Sequence, residues 1–569
     1  MSLARARPRC ARRKPTHSDN AGASRGRMIP ITTPIYPHLI SITASGRFRE
    51  KALAVMDPSE IPRRQGAVCF VAGSSEAVSD GIGRAAGAIA RGGWEAHILH
   101  CGLEADGSAV PGVAVHRLKD LSLPKTCLAP NGTPGCGPGV YHSNLIRYGV
   151  ETLHRVHRFD AIVFPSWQAA GFRCVQAKRA GSAFRNTRLI VRIDCINQQL
   201  REAEKRWSSP HDIFLDYCER YTFENADVQA GASADLLDYI RGLGWDVQAD
   251  ARVAPFTAAP EDLLTAAPRA RSLPAVAAGT PAVTVAVSHY NLGRFLPETL
   301  ASLAAQTCTE LEVMVIDDGS TCEESLRIWD EQKRLYPQFR FINQSNVGLG
   351  ATRNRALDEA KGEFFIPVDA DNIAAPGMVE GFLRGIRSCP DLSAMTCFFA
   401  AFEDVGDIAL GKFLHQYCPT GGPHLAACAF NVYGDANAIF RTEDLRSVGG
   451  FVADRSTYCH DWETFVKLVN AERHIGVIPE YLFYYRRRAD GMSAVMTEGG
   501  TNTYPFIQRM ITSFVAGNEA GVNPEARMLW EALASYFLRN DSSEAARPRS
   551  LHGAVRRWAA RVWKAVCSR

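Results

Sequence analysis

The residues of this sequence best suited to chemistry are two acidic motifs, Asp317-Asp318 and Asp369-Ala-Asp371. Each closes an apolar run: Val315-Ile316 leads into the first, and a strand predicted over Glu363 to Val368 leads into the second. In an open α/β sheet, ligands bind outside the carboxyl ends of the strands, so a strand that ends in Asp aims a carboxylate at the ligand crevice. Two such strands bring four carboxylates to one edge. Like charges gathered so closely repel unless they share a cation, and a hard divalent ion, Mn2+ or Mg2+, with oxygen ligands resolves this, a diphosphate completing its shell. A bare Asp-x-Asp arises by chance about once in a chain of this length, so the weight lies on its place after a buried strand.

Two further segments sit where strands meet loops, Val287-Ser-His-Tyr-Asn291 and Asn346-Val-Gly-Leu-Gly-Ala-Thr-Arg-Asn354. Later, Cys459-His-Asp-Trp-Glu463 opens a helical pattern with Phe465, Leu468 and Val469 on its apolar side. Asp461 falls in the first turn, where a carboxylate complements the helix dipole, either as a cap or as a functional base. Arg486, Arg487 and Arg488 follow an apolar strand, Tyr481 to Tyr485, and suit either phosphate neutralisation or a solvated basic edge.

The elements that must position these residues read as two α/β runs. Between 63 and 253, apolar strands are predicted at Ala67–Ala72, Trp94–His100, Ala161–Pro165, Leu189–Ile193 and Ala226–Ala230, the first two separated by Gly81-Ile-Gly83 and a helix over Arg84–Arg91. Strand, glycine turn, helix, strand is a βαβ unit and implies a parallel sheet. An Ala- and Pro-rich linker is expected over 254–280, and the second run, 281–493, opens with a strand over Val283–Ser288 and carries the acidic motifs. Residues 1–62, with Arg, Pro and Ser and no sustained periodicity, read as a disordered basic extension. Residues 494–569 read as a helical C-terminal region. At 100° per residue, Val555, Trp558, Ala559, Val562, Trp563 and Val566 gather on one side of its last helix, opposite Arg556, Arg557, Arg561 and Lys564. That pattern suits a helix lying in a membrane interface, or one packed on the catalytic domain.

In this order and spacing, the segments of 281–493 resemble the inverting family 2 glycosyltransferases of GT-A fold. The resemblance implies nucleotide-contacting positions at Ser288 and Tyr290, a carboxylate holding base or ribose at Asp318 beside Asp317, and a donor-site basic residue at Arg353. It implies metal and donor-diphosphate contacts at Asp369 and Asp371, and a general base at Asp461. Where the family commonly has Glu-Asp, this chain has His460-Asp461, and Thr352 stands where Ala is commoner. Residues 63–253 resemble something else. Asp80-Gly-Ile-Gly-Arg84, Phe164-Pro-Ser-Trp-Gln168 and Glu219-Arg-Tyr-Thr-Phe-Glu-Asn-Ala-Asp227 look like the N-terminal half of family 4 glycosyltransferases, which have the GT-B fold and whose N-terminal half usually faces the acceptor. The expected fold class is therefore α/β, with two Rossmann-like domains and a helical tail.

At 569 residues the chain exceeds what one hydrophobic core supports, and its 46% hydrophobic and 22% charged composition is that of a globular protein. A net charge of +4 argues against a dedicated nucleic-acid binder. The sixteen cysteines are scattered, with no CxxC pair, and suit reduced core thiols. No apolar run reaches the roughly 20 residues of a bilayer span. The resulting expectation is a cytoplasmic enzyme, able to sit on the inner face of the plasma membrane, that uses a nucleotide-sugar donor and a glycan or lipid-linked acceptor and binds no nucleic acid. A nucleotidyltransferase would need a richer phosphate-gripping loop than Asn291-Leu-Gly-Arg-Phe295. A non-catalytic glycan-binding protein would tolerate loss of Asp371 or Asp461, and both are present.

Overall fold

A computed structural model describes residues 65–491, apart from 74–75, 103–108, 125–137, 207, 255–262, 265–280, 429 and 456–458. The N-terminal extension, most of the linker and the C-terminal amphipathic helix lie outside the described residues.

The first run forms a sheet of seven strands: β1 (Ala67–Ala72), β2 (Glu95–His100), β3 (Val113–Arg117), β4 (Ala161–Pro165), β5 (Arg188–Ile193), β6 (Val228–Gly231) and β7 (Arg252–Val253). Their order is β3-β2-β1-β4-β5-β6-β7 and every pairing is parallel. The chain steps outward from β1 to one edge and then crosses to build the other, a doubly wound arrangement. Helices cover both faces, so β1 is buried at all six positions and reads in the sequence as an unbroken apolar run rather than an alternating one. The helix expected over Arg84–Arg91 begins earlier, at Glu76.

The second run contributes β8 (Val283–His289), β9 (Leu311–Asp317), β10 (Arg340–Asn343), β11 (Phe364–Asp369), β12 (Ile373–Ala374), β13 (Leu392–Phe402), β14 (His415–Tyr417), β15 (Ile439–Arg441) and β16 (His474–Arg486). The order is β10-β9-β8-β11-β15-β13-β16-β12, with β14 on β13. The half from β10 to β11 is parallel, and β15 enters antiparallel between β11 and β13. The segment Ala374-Ala-Pro376 after the second acidic motif does not open a helix directly. Instead Ile373 and Ala374 pair with β16, and the helix begins at Met378. Pro376 disfavours helical geometry in the residue before it, and Ala375 instead donates its N–H to the Leu482 carbonyl.

The two sheets meet through a polar and apolar seam. Arg173, fully buried on the helix Phe172–Arg179, donates to the carbonyls of Cys418 and Pro419 at 2.8 Å each, and lies between the Phe172 and Phe398 rings. Gln176 on the same helix donates to the Thr420 carbonyl at 3.0 Å, and Arg147 reaches the Pro479 carbonyl. Phe214, from the helix Pro210–Glu224, packs in the same apolar cluster as Ala286, Met314 and Phe365 of the second sheet. No helix among the described residues is long and apolar enough to cross a membrane.

Candidate active site

The carboxyl ends of β8, β9 and β11 line up as the sequence implied. Ser288 pairs in register with both Ile316 and Asp369, whereas Asp317 pairs with His289. Side chains alternate along a strand, so Asp369 shares a face with Ser288 and Asp317 points to the other.

That alternation sets Asp317 apart from Asp369, and Asp318, just past the end of β9, is taken up by donors of the loop after β10. Asp317, 2% exposed, accepts hydrogen bonds from the Ser320 backbone N–H and hydroxyl and faces the His289 Nε2 at 3.9 Å. Asp318, 4% exposed, accepts from Gln344 Nε2 at 2.8 Å and from the Val347 and Gly348 N–H groups at 2.9 Å each. Both brace loops whose buried N–H groups require an acceptor, so they are satisfied by donors of the chain itself without a shared cation. Ser288 is half-buried, and Tyr290 stands 45% exposed on the loop after β8.

Asp369 and Asp371 are arranged differently. Arg353, buried on the helix Leu349–Glu359, donates to Asp369 Oδ1 at 2.6 Å. Arg488 Nε lies 3.0 Å from Asp371 Oδ2. Arg486 holds the loop from behind, donating from Nε to the Asp371 carbonyl at 2.9 Å and from its backbone N–H to Asn372 Oδ1 at 3.0 Å. Its guanidinium bonds Glu298 and sits over the Phe295 and Phe402 rings. Of the arginine run, Arg486 is thus a buried clamp and Arg488 an ion-pair partner. Burial, then the charge of Asp369, pushes the Asp371 carboxyl up to about 6 against the pull of Arg488.

Asp461 occupies the first turn of the helix His460–Asn470 and accepts from the Trp462 N–H at 2.7 Å. Trp462 is itself held by its ring N–H on the Ala427 carbonyl. Burial is the main cause raising Asp461 to about 6; the charge of Asp369 adds to it and Arg353 opposes it. His460 does not point at the base as a second carboxylate would. Its Nδ1 donates to the Val452 carbonyl at 2.8 Å, pinning the helix start to the preceding loop.

Sequence reasoning missed one member. Asp435, in the loop before β15, accepts from the Asn437 N–H and side-chain amide at 2.9 and 2.6 Å. Burial, then the charges of Asp369 and Asp461, pushes it up to about 7. The only signal was an acidic residue inside the apolar stretch Val432 to Phe440, and no periodicity places that loop at the crevice. The site is therefore a chain of interacting carboxylates, Asp371, Asp369, Asp435 and Asp461, with Arg353 and Arg488 against it. Asp369 and Asp371 are the oxygen donors able to hold a hard divalent cation.

Residues 284–449, which span β8 to the end of the helix after β15, match the sequence model of glycosyl transferase family 2. Over this segment the chain is similar to the family 2 glycosyltransferases. The putative glycosyltransferase EpsH of Bacillus subtilis (strain 168) is 38% identical over 22% of this chain and 36% of its own length. Chondroitin synthase of Escherichia coli is 34% identical over 22% of this chain and 18% of its own. An uncharacterized glycosyltransferase of Haemophilus influenzae is 26% identical over 40% of this chain and 72% of its own. The chain thus spans well under half of the first two relatives. Among solved structures, S. aureus TarS 1–349 in complex with UDP is 20% identical over 44% of this chain and 70% of that one, with a TM-score of 0.34. Mannosyltransferase PcManGT from Pyrobaculum calidifontis, in complex with GDP-Man and Mn2+, is 20% identical over 50% and 84%, with a TM-score of 0.33. Likenesses at these scores fix no ligand for this chain.

Proposed function

We propose that the chain is a metal-dependent inverting glycosyltransferase that moves a sugar from a nucleotide-sugar donor to a hydroxyl of a glycan or lipid-linked acceptor, in the synthesis of surface polysaccharide. One observation carries this reading: Arg353 holds Asp369 at the end of β11, and Asp461, in the first turn of the helix His460–Asn470, lies within the field of that pair. A general base works best with a pKa near the operating pH. Asp461 takes the proton of the acceptor hydroxyl as its oxygen attacks the anomeric carbon, and a single displacement inverts that centre. Ser288 and Tyr290 flank the nucleotide, and Asp317 and Asp318 shape the loops around it. Arg353 orients Asp369 while Arg488 orients Asp371. A Mn2+ or Mg2+ ion held by Asp369 and Asp371 would stabilise charge on the departing diphosphate.

The likeness of 63–253 to a family 4 N-terminal half supports an acceptor-facing role for that domain, with 281–493 as the catalytic one. The basic and Trp-bearing pattern of 551–569 supports a cytoplasmic protein held at the inner face of the plasma membrane.

A panel of UDP-, GDP-, dTDP- and CMP-sugars tests the assignment, by donor hydrolysis and thermal stabilisation with and without Mn2+. At least one donor is expected to be hydrolysed only with metal, and Asp371→Asn is expected to abolish that hydrolysis while the protein stays folded. A wild-type enzyme that is fully active after chelation would remove the metal from the proposal. Failure of every donor to bind would remove the proposal itself.

A further inference from the structure

The first sheet carries a second polar cluster that the proposed transfer reaction does not use. Glu95 and His97 lie on one face of β2, and His116 of β3 pairs with Leu99, two residues along on that face. The helix Pro138–His157 brings His157 in at its C-terminal end. One nitrogen from each of His97, His116 and His157 lies within 4.8 Å of the other two. Glu95 pairs in register with Ala67, the first residue of β1, so the cluster sits toward the amino ends of these strands.

Glu95 settles which nitrogens face inward. Its Oε1 is 3.1 Å from His97 Nε2 and 3.5 Å from His157 Nδ1. A carboxylate only accepts, so His97 Nε2 carries its proton and Nδ1 is left as a lone pair. That lone pair meets His116 Nε2 at 3.0 Å. Tetrahedral zinc with metal–nitrogen distances of about 2.0–2.1 Å places its ligand nitrogens roughly 3.3–3.4 Å apart, only slightly wider. A carboxylate behind a ligating imidazole is the outer-shell arrangement that fixes the tautomer and raises ligand basicity. Imidazoles bind metal in the neutral form, through the ring nitrogen that carries no proton. Phe159 closes one side, 5.2 Å from the His97 ring, while His116, His157 and Glu95 remain partly open to solvent and give an ion a way in.

We propose that His97, His116 and His157 form a binding site for a zinc-like first-row divalent cation, with Glu95 behind them and the fourth position open to water. Binding moves the proton now shared between His97 and His116 to His116 Nδ1, which frees His97 Nδ1 and His116 Nε2 for the ion. The ion ties edge strand β3 and the end of the helix Pro138–His157 to β2. Its ligand set of imidazoles differs in kind from the carboxylates Asp369 and Asp371, and it suits zinc, copper, nickel or cobalt rather than magnesium.

Untagged full-length protein, stripped with chelator and titrated with Co2+, tests this. Visible absorption of tetrahedral cobalt is expected at one equivalent and is displaced by Zn2+. The signal should persist in Asp369→Asn/Asp371→Asn and vanish in His116→Gln/His157→Gln, whose targets are only half-buried. Zinc should raise the wild-type Tm by several degrees and leave that of the histidine variant unmoved. X-ray absorption at the zinc edge of the wild-type protein needs no variant and should show imidazole nitrogens in the first shell. Sulfur ligation, a cobalt signal that survives the histidine substitutions, or a folded wild-type protein that binds no ion would each overturn the assignment.

Discussion

Burial, helped by the charge of Asp369, raises the Asp461 carboxyl, and that shift sets how the enzyme should respond to pH. A base must be unprotonated to act, so kcat/KM should rise with pH through about 6, the value to which burial raises Asp461. Asp461→Asn should lower kcat by about 100-fold or more and leave the donor Kd nearly unchanged; a variant that loses donor binding yet turns over normally at saturation contradicts the role. Asp435, pushed up to about 7, is largely protonated where Asp461 titrates, so Asp435→Asn should leave the acidic limb of the pH profile nearly in place, as initial rates across a buffer series will show. Its effect on stability has a defined sign. Folding raises the Asp435 pKa from 3.8 to about 7, so the folded chain binds a proton that the unfolded chain releases, and stability is lost as pH climbs through that window. Metal-free Asp435→Asn should therefore gain Tm over the wild type between pH 4 and 7, and a difference that stays flat would refute the placement. Much of this site was legible. Asp369, Asp371 and Asp461 follow or precede elements whose periodicity announces them. Asp435 was not legible because its position depends on β15 entering between β11 and β13, a long-range pairing that no local pattern encodes.

Among the elements, the helix Leu349–Glu359 matters most, because it delivers Arg353 to Asp369. A Cβ added at Gly350 would come within 1.9 Å of the Val452 carbonyl oxygen, which also accepts from His460 at the start of the base-bearing helix. Glycine is thus required where two functional helices touch through one backbone oxygen. Gly350→Ala should cost about 1–3 kcal/mol in urea unfolding, and it should also lower kcat by pushing the arginine and the base apart. A variant that is destabilised but fully active at low temperature would uncouple the two helices. The motif Gly348-Leu-Gly350 was visible in the sequence, but its partner Val452 was not. β13 was likewise unforeseen: its eleven residues are all buried, and the run Leu392–Phe402 has no alternation to separate strand from buried helix. The parallel strands β1, β4 and β8 were foreseen to within a residue, because turn residues bound their short apolar runs.

For the molecule as a whole, the chain boundary at 254–280 is not an energetic one. Arg173→Met should destabilise by about 3 kcal/mol or more, since it leaves the Cys418 and Pro419 carbonyls without their charged donor, and denaturant melts should show both halves losing stability together. Two separate transitions with only the first displaced would show that the halves fold independently. At the same scale, deletion of 551–569 should sharply reduce co-sedimentation with anionic vesicles, as should added salt, each basic residue near such a surface contributing about 1 kcal/mol. Unchanged vesicle binding with aggregation would assign that helix to the fold. Arg173 also bears on descent. Its guanidinium lies between its neighbour Phe172 and, across the seam, the Phe398 ring and the Cys418 and Pro419 carbonyls, so recombination that exchanged either half for one with a different backbone path there would strand a cation in a dry seam. A chimera joining either half to a foreign partner would therefore have to keep the backbone of 418–420 where Arg173 and Gln176 meet it.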